Sequence, residues 1–205
     1  SRRSADFQAS KDVVERVLEN IKIKSESGTG ITGMQTGYTD LDKITSGFQR
    51  GDLIILAARP SVGKTAFALN LGTQMAMYSN LPTAIFSLEM PSEQLMQRVL
   101  TFQSEIEGNK LRDGTLRGDA EWNKLYEAAS QIKETKIYID DSPSLKISEI
   151  FSKCRKLKAE HDLGVIIIDY LQLMDSGSGA ENRQQAVSEI SRAFKGLARE
   201  LDVPV

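Results

Sequence analysis

The chain has one cysteine, one histidine and one tryptophan among its 205 residues, and these scarcities narrow the chemistry first. A lone cysteine, Cys154, leaves no internal disulfide to form and fits a reducing compartment. It falls in the helical stretch Ile150-Phe151-Ser152-Lys153-Cys154, where a packed thiol is expected rather than a nucleophile. His161, the only histidine, excludes a two-histidine metal site and points to a surface role at a helix end. No apolar run approaches the roughly 20 residues that cross a bilayer, and the polar start Ser1-Arg2-Arg3-Ser4 is not a signal peptide. The expectation is a cytoplasmic protein with no membrane partner. Net charge is also small, at −2, so any nucleic-acid site must be a local patch rather than a property of the whole surface.

What is present is organised around Ala57-Ala58-Arg59-Pro60-Ser61-Val62-Gly63-Lys64-Thr65. The apolar run Asp52–Leu56 precedes it and the helical pattern Ala66–Leu71 follows it, giving a strand, a tight loop and a helix in series. That is the context of a phosphate-binding P-loop. Loop amides and the helix N-terminus then face the anion, so backbone does most of the binding. Lys64 would reach the β- and γ-phosphates, and the Thr65 hydroxyl would ligate Mg²⁺. One departure is visible: the position usually opened by glycine holds Ala58, which fits if its φ stays negative.

Around this motif, apolar periodicity predicts an alternation of strands and helices. Residues 1–30 read as a linker carrying an amphipathic helix from about Ser10, with Val14, Val17, Leu18 and Ile21 along one face. That stripe must fold back on its own domain or dock on a neighbouring subunit. Residues 31–205 read as one domain, with a short helix near Thr39–Lys43 and strands at 52–56, 83–88, 136–140 and 164–169. Helices are expected at about 65–79, 92–103, 119–134, 147–160 and 182–201. Gly108–Gly118 and Asp175–Gln184 read as loops, while Trp122, Leu125, Tyr126 and Ala129 read as a packed helix face. Asp202–Val205 reads as the opening of a fifth strand, which suggests that the domain is truncated at its C-terminal end. The fold class is α/β: a parallel sheet with helices on both faces.

Two acids occupy strand ends. Asp169 terminates Val165–Ile168 and suits a carboxylate in a Mg²⁺ shell; Glu89 ends the strand after the P-loop helix and suits a general base for water. Hydrolysis needs both, since charge on the phosphates must be spread while the nucleophile is aligned.

Four segments in order, Ala58–Thr65, Phe86–Met90, Ile167–Met174 and Ser188–Leu201, make nearly the whole chain resemble the bacterial replicative DNA helicases of the DnaB family. The resemblance implies a RecA-like P-loop NTPase that assembles as a homohexamer and hydrolyses ATP with Mg²⁺ between subunits. It further implies translocation 5′→3′ on single-stranded DNA. By the same resemblance Ala58, Arg59, Pro60, Ser61, Val62, Gly63, Lys64, Thr65 and Ala66 surround the nucleotide, Glu89 is the catalytic glutamate, and Asp169 is the Walker B aspartate. Arg98 matches a family arginine near the nucleotide, and Arg183 sits in what resembles the first channel-facing loop, where it would touch DNA phosphates. No aromatic ladder accompanies that loop, so backbone contact is expected rather than base stacking. The resemblance places the γ-phosphate sensor, the main DNA-binding loop and a trans-acting arginine beyond Val205, and an N-terminal primase-binding domain ahead of Ser1. It also implies a helicase loader as partner, and docking of the linker helix on the adjacent subunit. Two further readings share the nucleotide core: a RecA-like recombinase or signalling ATPase, and a module that binds nucleotide without hydrolysing it. Phe86–Met90 and Tyr170–Met174 favour the helicase.

Overall fold

Three apolar stretches become the strands of one sheet in the computed structural model, which describes residues 7–27, 33–56, 64–169 and 179–205. They are β1 (Thr83–Ser87), β2 (Ile137–Asp140) and β3 (Val165–Asp169). Their order is β2-β1-β3 and all pairs are parallel; Thr83 aligns with both Ile137 and Val165, and Ser87 with Asp169. The helices are α1 (Ser10–Ser27), α2 (Thr39–Thr45), α3 (Lys64–Ser79), α4 (Ser92–Ser104), α5 (Gly108–Asp113), α6 (Gly118–Lys133), α7 (Ile147–His161) and α8 (Gly179–Leu201).

Because side chains alternate along a strand, β1 and β3 feed two separate cores. Ala84, Phe86 and Ile166 pack with Ile150 and Cys154 of α7 and with Phe194 and Leu197 of α8. Ile85 on the opposite face packs with Leu69 of α3, Leu95 and Val99 of α4, and Ile132 of α6, flanked by Ile167 of β3. Each fully buried aliphatic side chain contributes roughly 1.5–3 kcal/mol, so the two faces together fix the three-layer order of helix, sheet and helix. At one point α3 and β3 come as close as side-chain chemistry allows: a Cβ on Gly72 would lie 2.4 Å from Ile167 Cδ1. A larger residue there would have to turn the end of the Ile167 side chain aside.

Several expectations change. Residues 108–113, read as loop, form α5; the glycines bracket the helix rather than break it, and Gly114 closes it at φ +68° with its N–H on Lys110 O. Lys110 Nζ also reaches Glu121 Oε1 of α6 at 3.0 Å, tying the two helices together. On α6 the packed face is Ala128 and Ile132, with Leu125 and Ala129 half-buried beside them; Trp122 and Tyr126 lie outside it at 40% and 64% exposure, their rings tilted against one another. The expected face is shifted, and its two aromatic residues fall outside the core. The last helix begins at Gly179 rather than Asn182, so the glycine-bearing segment belongs partly to α8; residues 175–178 lie outside those described.

The run 52–56 forms no regular strand. Val205 N donates to Asp52 O and Ile54 N to Val205 O, at 2.9 and 2.8 Å, while Ile166 N donates to Pro204 O at 3.1 Å. The expected fifth strand thus lies between β3 and residues 52–54. Paired with Val205 over so short a length, the 52–56 run keeps Ile55 67% exposed. The stripe on α1 does not fold back: Val14, Val17, Leu18 and Ile21 are all about half exposed. No helix among the described residues is long and apolar enough to cross a membrane.

Cys154 is fully buried, and burial pushes its thiol up to about 12 despite the opposing charge of Arg155. A thiol reagent at mildly alkaline pH should therefore label Cys154 only as fast as the domain unfolds. Labelling at the rate of a free thiol in native buffer would contradict this packing.

Candidate nucleotide site

The parallel register collects the acids at one edge. Asp169 closes β3, is 8% exposed, and lies beside Ser87 of β1. Leu88 N extends the ladder by donating to Asp169 O at 3.0 Å, so Glu89 follows one residue later at the same edge of the sheet. Glu89 itself is exposed, on the turn Leu88–Pro91 that leads into α4.

From the other side α3 begins at Lys64, and Thr65 in its first turn donates from Oγ1 to Asp169 Oδ1 at 3.5 Å. This contact spans 104 positions of sequence and joins the start of α3 to the end of β3. Adjacent oxygens around an octahedral Mg²⁺ lie about 3 Å apart, so this hydroxyl and this carboxylate fit one cation, held directly or with a water between. No three His, Cys, Asp or Glu side chains converge as a metal cage among the described residues. A cation at Thr65 and Asp169 would complete its shell with water and phosphate oxygens, as Mg²⁺ prefers.

The remaining sequence expectations divide. Ala58, Arg59, Pro60, Ser61, Val62 and Gly63 lie outside the described residues. Lys64 and Ala66 open α3, the latter exposed. Arg98 is exposed midway along α4, between the buried Leu95 and Val99, about 9 Å along the axis from Ser92. Arg183, expected in a loop, instead lies within α8, because the helix starts four residues before it.

Four residues escaped sequence reasoning. Asp42 is 3% exposed and accepts from Thr36 N and Thr36 Oγ1, at 2.9 and 2.8 Å, which fixes the segment running along α3. Tyr38 stacks on Phe67 of α3 with ring centroids 6.0 Å apart, and burial raises its phenol. Ser87 donates from Oγ to Met90 O at 2.7 Å, folding the Glu89 turn back on its strand. Asp141 accepts from Ser92 N at 2.7 Å across 49 positions. The one signal for the last was the doubled acid Asp140-Asp141 after an apolar strand. His161 closes α7 and stacks on Tyr138, a surface helix-end role as its sequence position suggested.

A model of the DnaB-like helicase C-terminal domain matches residues 33–205 of the chain. The chain is 52% identical over all 205 residues to the replicative DNA helicase DnaB of Geobacillus stearothermophilus, of which it covers 45%. It is 51% identical, with the same coverage, to the replicative DNA helicase DnaC of Bacillus subtilis. The chain thus spans about half the length of the curated relatives it matches. Among solved structures it is similar to an ATPase domain, with TM-score 0.86 and 33% identity over 98% of this chain and 70% of that one. It is also similar to a DnaB-like replicative helicase described with its interactions with primase, at TM-score 0.80 and 34% identity over 98% and 48%.

Asp140 at the end of β2 gives this edge a pH dependence. Burial works to raise its pKa, but the ammonium of Lys153 and bonds from Ser142 outweigh burial and hold the carboxyl below its ordinary value. A folded pKa below the unfolded one adds stability above the unfolded value of about 4, and that stability is lost as pH falls through the folded value. Lys153→Ala should therefore lower the denaturant midpoint at neutral pH, and the gap from the parent should close in acid. A gap that persists unchanged to low pH would show that the pair contributes through packing alone.

Proposed function

The chain belongs to the DnaB-like helicase C-terminal domain family, and we propose that it is the ATP-hydrolysing motor domain of a replicative DNA helicase. The observation that carries this reading is the Thr65–Asp169 contact, with Glu89 one residue beyond the β1–β3 ladder. Lys64, by its place in the motif, neutralises charge on the β- and γ-phosphates while the start of α3 offers its amides. Thr65 and Asp169 would hold Mg²⁺, which would supply charge to spread over the transferring phosphoryl group. Glu89, exposed on its turn, orients a water and takes its proton as the water oxygen bonds to the γ-phosphorus. The bond from the γ-phosphorus to the β–γ bridging oxygen breaks, and ADP leaves with inorganic phosphate. Arg98 lies on the helix entered from this turn and contacts the nucleotide from that side.

In this reading the domain works in the cytoplasm as a homohexamer translocating 5′→3′ on single-stranded DNA. The exposed stripe of α1 supports docking on a neighbouring copy, since about half of each of Val14, Val17, Leu18 and Ile21 stays uncovered on its own chain. A helicase loader engages the ring, and primase is contacted through a domain outside these 205 residues. Arg183 adds a positive charge near the start of α8, where it meets DNA phosphates.

Two substitutions in the whole protein test the core of this proposal. Lys64→Ala should abolish binding of a fluorescent ADP analogue. Glu89→Gln should leave that binding within about twofold and lower phosphate release by roughly 10²–10⁴-fold, the range of a lost general base. Sustained turnover in Glu89→Gln would remove Glu89 from the mechanism. Turnover in the parent that ignores single-stranded DNA would argue against a DNA-coupled motor.

A further inference from the structure

Glu89 projects from a turn, so the placement of its carboxylate depends in part on how that turn is held. Leu88-Glu89-Met90-Pro91 is fixed at three points. Leu88 N is tied to Asp169 O by the sheet, and Met90 O accepts from Ser87 Oγ within the turn itself. The third tie comes from elsewhere in the fold: Asp141, just after β2, accepts from Ser92 N, the first residue of α4, at 2.7 Å.

The need for that tie is local. The N-cap position of α4 is Pro91, whose side chain offers no acceptor, and α4 has no side-chain cap of its own. Its leading amide would otherwise face only solvent, at the positive end of the helix dipole, where a carboxylate is favoured. Asp140 is engaged by Lys153 and by Ser142 N, which pins the loop and leaves Asp141 directed at α4. One edge of the Glu89 turn is thereby anchored to β3 and the other to the loop after β2.

We propose that Asp141 is a positioning residue for Glu89, holding the start of α4 so that the turn presents the carboxylate to the attacked phosphate. This rests on the reading of Glu89 as the base. The loop between β2 and α7 then controls the alignment of the base without touching the nucleotide, and a displacement of that loop slows the chemical step while leaving nucleotide affinity alone.

The test is steady-state ATP hydrolysis and ADP binding by the whole protein. Asp141→Ala should lower kcat by about tenfold, the size of one lost charge-assisted cap, with KM and ADP affinity within about twofold. Asp141→Asn keeps an acceptor oxygen and should recover most of that loss. Ser92→Pro removes only the donor: proline suits the first helical position, and Pro91 at ψ 148° already has the backbone that precedes proline. It should reproduce the loss in the parent and add nothing in the Asp141→Ala background. Unchanged kcat in Asp141→Ala and Ser92→Pro, beside a Glu89→Gln protein that no longer turns over, would overturn the proposal and spare the base assignment. Independent, multiplying losses, or a fall in ADP affinity matching that in kcat, would also overturn it. Turnover surviving in Glu89→Gln would instead remove the base on which the proposal rests. Should Asp141→Ala fail to fold, Ser92→Pro and Asp141→Asn still decide.

Discussion

The parallel pairing that sets Ser87 beside Asp169 is the constraint on which the rest depends. In a parallel sheet all strands point one way, so every strand end that carries a polar group delivers it to the same edge. A slip of one residue between β1 and β3 would exchange Ile85 with Phe86 between the two cores, so burial on both faces holds the register firmly. Glu89, Asp169 and Thr65 converge because hydrophobic side chains several residues away have no other arrangement that satisfies both helical layers. The strand register at the site is in this sense a by-product of packing, and the polar contacts refine what the register delivers.

The two acids are nevertheless held in different ways, and the difference matches the roles proposed for them. Asp169 is buried inside a ladder and beside Thr65, surroundings that keep a ligand where a cation needs it. Glu89 is exposed on a turn whose supports come from three separate pieces of chain. A base must meet a water and part from a proton, so it benefits from access; access removes the packing that would fix it, and hydrogen bonds to its flanking residues take over. Lys153 and Ser142 engage Asp140, while Asp141 meets the start of α4.

How far the sequence could be read follows from which interactions are local. The strand ending in Asp169 was legible because a central parallel strand is apolar on both faces, and the helices were legible through their period. Thr65 and Asp169 stood out in the sequence because a phosphate site calls for those residue types in that context, and the fold brings the two side chains together. What escaped was set by contacts distant in sequence. Asp141 and Ser92 carry no mutual signature, and neither do Thr36 and Asp42, although each pair fixes a segment beside the site. On α6 the aromatics were misjudged, because Trp122 and Tyr126 look like core residues and instead lie against each other in the open. The run at 52–56 has strand composition, but composition supplies no ladder, and Val205 provides only two backbone bonds. Residues 108–113 misled in the opposite direction, since glycines at the ends of a short helix resemble glycines within a loop.

The glycine at position 72 has a mechanical consequence. With only a hydrogen at that position of α3, the side chain of Ile167, two residues from Asp169, reaches the helix backbone. The helix is seated closely on the strand whose end meets Thr65. In the proposed motor, force arising at the phosphates would meet a helix seated closely on the sheet. It would pass more readily into the tethered turn at Glu89 and the thinly bonded segment at 52–54.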